Sequence, residues 1–134
     1  MATILAHIRV KEGKETEFES IARRLHASTH REETQVLRYE YWRGADPRTY
    51  YTLLAFEDFG AFLAHQTSEH HESASPELRG VVEALRLEWV DPVQGASELP
   101  PTDAQEAPVG ADALTSEYAV RFAAVIADWW EVLR

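Results

Sequence analysis

Apolar residues first recur at period two. Ile4, Ala6, Ile8 and Val10 share one face of the run Thr3 to Val10, which predicts a strand punctuated by Gly13. The period then lengthens: from Lys14 to about Thr29, Phe18, Ile21, Ala22 and Leu25 recur at helical spacing among Glu, Lys and Arg, the pattern of a surface helix laid on a sheet. Alternation returns from Val36 to Arg43, where Leu37, Tyr39 and Tyr41 interleave with Arg38, Glu40 and Trp42. Gly44-Ala45-Asp46-Pro47 reads as a turn and Thr49 to Phe56 as the returning strand of a hairpin.

Asp58 reads as the N-cap of a helix carrying Ala61, Phe62 and His65, followed by the polar run Thr67 to His71. Ser75-Pro76-Glu77 has the chemistry of a second helix start, with Leu78, Val81, Val82 and Leu85 at helical spacing behind it. A last strand is expected from about Arg86 to Val90, stopped at Pro92. The order β-α-β-β-α-β is that of a split βαβ, or ferredoxin-like, α+β fold. Its helices cover one face of an open sheet, and the other face needs a partner, so a homodimer in which two sheets close a barrel-like core is expected.

Residues 1–92 would make up this domain. Residues 93–113, rich in Pro, Ala and acids, read as a linker with a root-mean-square span of about 25 Å. Residues 114–134 then place Tyr118, Phe122, Val125, Ile126, Trp129, Trp130 and Leu133 on one stripe, which predicts an amphipathic helix of about five turns. A lone helix of that length is marginal, so docking is expected, on its own protomer or on the partner.

Composition narrows the chemistry. A net charge of -10, from 23 acidic against 13 basic residues, opposes binding to nucleic acid. The absence of cysteine removes disulfides, thiolate metal sites and thiol nucleophiles. No stretch approaches the roughly 20 apolar residues of a membrane span, and the N-terminus lacks the charge pattern of a signal peptide, so a cytoplasmic protein without membrane contact is expected.

Three segments, HIRVKEGKETEFES, LRYEYWRGADPRTYYTLLAF and EDFGAFLAHQTSEHH, resemble in order and spacing the antibiotic biosynthesis monooxygenase family of dimeric α+β barrels, over about residues 3 to 91. Ala61, His65 and His70 fall where that family tends to have an alanine, a helix histidine and a histidine after a small loop. Leu54 and Phe56 stand where members often have a glutamate and a tryptophan, and no glycine lies in Glu33-Thr34-Gln35. The resemblance implies oxidation of a small quinol- or anthrone-like aromatic by O2 without cofactor. A non-catalytic ligand-binding or dimerisation module of the same fold is the alternative.

Such chemistry asks for a base, a dry pocket and hydrogen bonds to an oxyanion. Histidine suits the proton step. His65, one turn beyond Ala61, is the first candidate, with a hydrogen-bonded structural role as the plainer reading; His70, beside His71 in what reads as a polar loop, is the second. Tyr39, Tyr41, Trp42, Tyr51 and Phe62 are candidates for binding an aromatic substrate, with core or interface packing as the plainer role. No metal or other cofactor is expected: His65 and His70 are five residues apart, about 140° on an ideal helix, so a shared ion would require a break between them. Haem degradation ranks lower, because Ala6 and Phe56 stand where haem-degrading barrels have asparagine and tryptophan.

Overall fold

Nine residues from Ala2 to Val10, apolar or small apart from His7 and Arg9, make β1 an inner strand on which the rest is built. A computed structural model describes all residues from Met1 to Arg134. The elements run β1 (Ala2–Val10), α1 (Glu15–Glu32), β2 (Val36–Arg43), β3 (Thr49–Phe56), α2 (Phe59–Gln66), α3 (Glu69–Val81), β4 (Val82–Trp89), α4 (Ala113–Arg121) and α5 (Trp130–Leu133). The four strands form one antiparallel sheet in the order β2-β3-β1-β4, which is the ferredoxin-like α+β arrangement expected from the sequence.

The alternation along β1 decides which face is covered. Ile4, Ala6 and Ile8 are buried beneath Phe18, Ile21, Ala22 and Leu25 of α1, in a core that includes Tyr39, Leu54, Phe56 and Phe62. Leu5, His7, Tyr51, Leu53 and Trp42 share the opposite face, because Leu5 pairs with Leu53, and Tyr51 pairs with both His7 and Trp42. Trp42, on the edge strand, is 59% exposed. No helix is long and apolar enough to cross a membrane.

Asp58 is the expected cap of α2: its carboxylate accepts from the Ala61 backbone N–H at 2.7 Å. Asp58→Ala should lower stability by about 1 kcal/mol, read by chemical denaturation, since N-caps of this kind are worth about 0.5–2 kcal/mol.

Three expectations are corrected. The second helix does not begin at Ser75-Pro76: α3 starts six residues earlier, at Glu69, with Ser68 as N-cap accepting from the His71 N–H, and Pro76 sits exposed inside it. There the ring costs a hydrogen bond that water can replace. The polar run Thr67 to His71 is therefore not a loop; only Thr67 and Ser68 separate α2 from α3. Val82 and Leu85 belong to β4, which starts at Val82 because β1 offers unpaired backbone along its whole length and pairs as far as Val10 with Val82.

The single helix expected over residues 114–134 is divided. Nine residues form α4, four form α5, and the stretch from Phe122 to Trp129 is not helical. Its stripe is divided too, since Tyr118 and Phe122 pack on the core while Val125 and Trp129 are exposed. Residues 93–112 carry no helix or strand but are pinned to the domain. Thr102 is fully buried, donating from its N–H to Asp91 Oδ1 and from its hydroxyl to the Val90 carbonyl; Gln105 accepts from the Phe59 N–H; Arg134 reaches back to Asp91.

Candidate active site

The two-residue break at Thr67-Ser68 turns the chain so that His70, on the first turn of α3, comes back against His65 near the end of α2. The Ser68 hydroxyl fixes the corner by donating to the His65 carbonyl at 2.8 Å while capping α3. The C-terminus of α1 arrives at the same place and brings Glu33, whose Oε1 lies 2.8 Å from His65 Nδ1 and 2.7 Å from His70 Nε2. One carboxylate oxygen thus holds two imidazoles. Glu32 lies on the outer side of His70, with Oε2 3.2 Å from Nδ1, and the Ser68 hydroxyl is 3.1 Å from Nε2.

Burial differs across the cluster. The His65 side chain is 1% exposed, packed against the rings of Tyr39, Phe56 and His71, and its Nε2 has no partner. His70 and Glu33 are 12% and 15% exposed, and both line a cleft of about 360 Å³ with Thr34, Gln35, Ala61 and Glu69. Only His70 and Glu33 of the three meet that cleft. His71 lies behind, where burial, and then the charge of His65, push its imidazole down to about 4.

Tyr39 connects this cluster to a second region. Its ring lies 4.9 Å from that of His65, and its hydroxyl is 2.9 Å from that of Tyr41. Burial raises the Tyr39 hydroxyl well above its ordinary value and the Tyr41 hydroxyl to about 12, so both remain protonated at neutral pH. Tyr41 and Trp42 line a separate groove of about 590 Å³ with Phe18, His26, Arg43 and Tyr50. At its floor Glu19 is held down at about 2, chiefly by the hydrogen-bonded Arg43.

The sequence candidates therefore fall into four places. His65 and His70 meet at Glu33; Tyr41 and Trp42 line the aromatic groove, with Tyr39 buried between the two; Tyr51 lies on the open sheet face with its ring 5.6 Å from that of His7. Phe62 is buried in the core among Phe56, Phe59, Trp89 and Phe122 and reaches neither cleft. Glu33 was missed from the sequence. Its signal is its position at the end of α1, which the ferredoxin-like topology lays beside the α2–α3 junction.

Fold and cluster together define a ferredoxin-like α+β protein with a carboxylate-bound histidine pair at a cleft. The model of the antibiotic biosynthesis monooxygenase family matches residues 1–77, and the chain belongs to that family. Solved structures with this fold include a Shewanella oneidensis protein (26% identity, TM-score 0.61), which covers 66% of this chain and is itself covered to 86%. A candidate antibiotic biosynthesis monooxygenase of Caulobacter crescentus is 22% identical, with TM-score 0.65 and coverage of 69% of this chain and 89% of its own. One from Nitrosomonas europaea is 19% identical, with TM-score 0.64 and coverage of 69% and 99%. No curated protein matches the chain.

Proposed function

We propose that the chain is a cofactor-independent monooxygenase acting on a small phenolic or anthrone-like molecule, with His70 as the base. The observation that carries this reading is the Glu33–His70 pair at the mouth of the 360 Å³ cleft. Glu33 accepts from His70 Nε2–H and fixes the ring in place, and the Nδ1 lone pair of His70 takes a proton from an acidic O–H or C–H of the substrate once the exposed Glu32 carboxylate, 3.2 Å away, swings aside. The substrate anion then reduces O2. For an anthrone-like CH2, one oxygen atom becomes the new carbonyl and the other leaves as water with both hydrogens, so substrate supplies all the electrons. Ser68 and Thr34 offer hydroxyls at the same cleft. Oxygen uptake by the chelator-treated protein with a panel of anthrones and hydroquinones tests the reading; tight binding without uptake would make the chain a ligand-binding module instead.

The proposal includes a cytoplasmic homodimer. Leu5, Tyr51, Leu53 and Trp42 on the open sheet face supply apolar surface, ringed by Arg38, Glu40, Arg86 and Glu88 that can pair across a two-fold axis. Sedimentation at micromolar concentration should give twice the 15.2 kDa of one chain, and a stable monomer would remove the claim.

A further inference from the structure

We infer that Glu33, His65 and His70 form a binding site for one divalent transition-metal ion of the zinc, cobalt or iron(II) class. The ion would occupy the donor atoms of the acid–base reading, so the two uses of the site exclude each other while it is bound, and the inference stands without that reading. Spacing along the sequence argues against such a site, since His65 and His70 would diverge by about 140° on one helix. The break at Thr67-Ser68 removes that objection: His65 is on α2, His70 is on α3, and their ring centroids are 6.1 Å apart.

The donor atoms converge. One donor atom from each of Glu33, His65 and His70 lies within 4.8 Å of the other two, with Glu33 Oε1 against His65 Nδ1 and His70 Nε2. Metal–donor bonds of about 2.0–2.2 Å in a tetrahedral site put donors roughly 3.3 Å apart. The two Glu33–imidazole distances of 2.8 and 2.7 Å would need to open by about half an ångström, a small rotation of one glutamate side chain. An ion there takes the place of the two protons now shared with Oε1. Two imidazole nitrogens and one carboxylate favour borderline ions over calcium or magnesium, which prefer all-oxygen shells.

Two further features fit an ion. The outer nitrogen of His70 faces the Glu32 carboxylate at 3.2 Å, the arrangement that fixes the tautomer and orientation of a metal-binding histidine. Three protein donors leave the fourth position directed at the cleft, where Glu32, Glu33 and Glu69 supply negative potential and water or a small oxygen ligand can enter.

The test uses the full chain freed of metal with chelator, titrated with Zn2+ by calorimetry and with Co2+ by visible absorption. One equivalent should bind, with a ligand-field band from Co2+. His70→Ala should weaken binding by at least a hundredfold, and Glu32→Gln by about tenfold, since outer partners of metal ligands typically contribute about 10- to 100-fold. His26→Ala, on the exposed face of α1, should change nothing. Circular dichroism checks each fold, and should His70→Ala not fold, the isosteric Glu33→Gln replaces it with the same expectation. No stoichiometric binding, binding that survives His70→Ala or Glu33→Gln, or binding lost in His26→Ala overturns the inference.

Discussion

Turnover by His70→Ala should fall by about 100- to 10,000-fold on whichever anthrone or hydroquinone the wild-type protein oxidises, the usual contribution of a positioned general base. The fall should appear in kcat more than in KM, because the lone pair acts on the proton in transit and little on the bound ground state. Glu33→Gln should lose less: the amide keeps the shape and an accepting oxygen but loses the charge that strengthens both imidazole contacts, so His70 is present and poorly held. A shift in the pH profile of Glu33→Gln would mark Glu33 as a positioning residue rather than packing. His65→Ala is a poorer probe than it looked from the sequence, because the ring is buried between Tyr39 and Phe56 and its loss leaves a cavity. Full activity in a well-folded His70→Ala protein would sink the base assignment.

The sheet was legible because its signal is redundant. The β1 alternation, the turn at Gly44 to Pro47 and the aromatic- and threonine-rich run from Thr49 to Phe56 all agree with the observed order β2-β3-β1-β4. Where two periodicities could claim one segment, tertiary pairing decided. Val81, Val82 and Leu85 fit a helix stripe, yet Val82 and Leu85 pair with Val10 and Ile8 because β1 would otherwise lose its partner. Ser75-Pro76 carries good start chemistry, but Ser68 carries it as well and lies next to the corner that Glu33 and the histidines hold. The candidate site was half legible. His65 and His70 stand out as titratable groups, whereas Glu33 is one of 23 acids and gains meaning only when α1 is laid beside the α2–α3 corner. The aromatic candidates dispersed because a hairpin alternates its side chains: Tyr39 and Tyr41 face the helices, while Trp42 shares the other face with Tyr51.

Phe62 decides between pocket and core. Its ring is 1% exposed and packs edge-on against Trp89 at 5.4 Å and Phe122 at 5.9 Å, and beside Phe56 and Phe59 at 5.7 and 5.9 Å. It therefore joins α2 to β3, to β4 and to the segment after α4. Phe62→Ala should cost about 3–5 kcal/mol, from lost transfer free energy plus the cavity left behind. For a chain of this size that is a drop in Tm of roughly 10–20 °C, measurable by calorimetry. Phe122→Ala should cost less, because Phe122 is only partly buried. The two losses should not add: with Phe62 already gone, Phe122 has lost one face of its packing, and a double-mutant cycle should return a coupling of about 0.5–1.5 kcal/mol. That coupling would show the C-terminal segment held on its own protomer through α2. A Phe62→Ala protein with unchanged Tm and a raised KM would put the ring back in a substrate pocket, and zero coupling to Phe122 would detach the extension from the core.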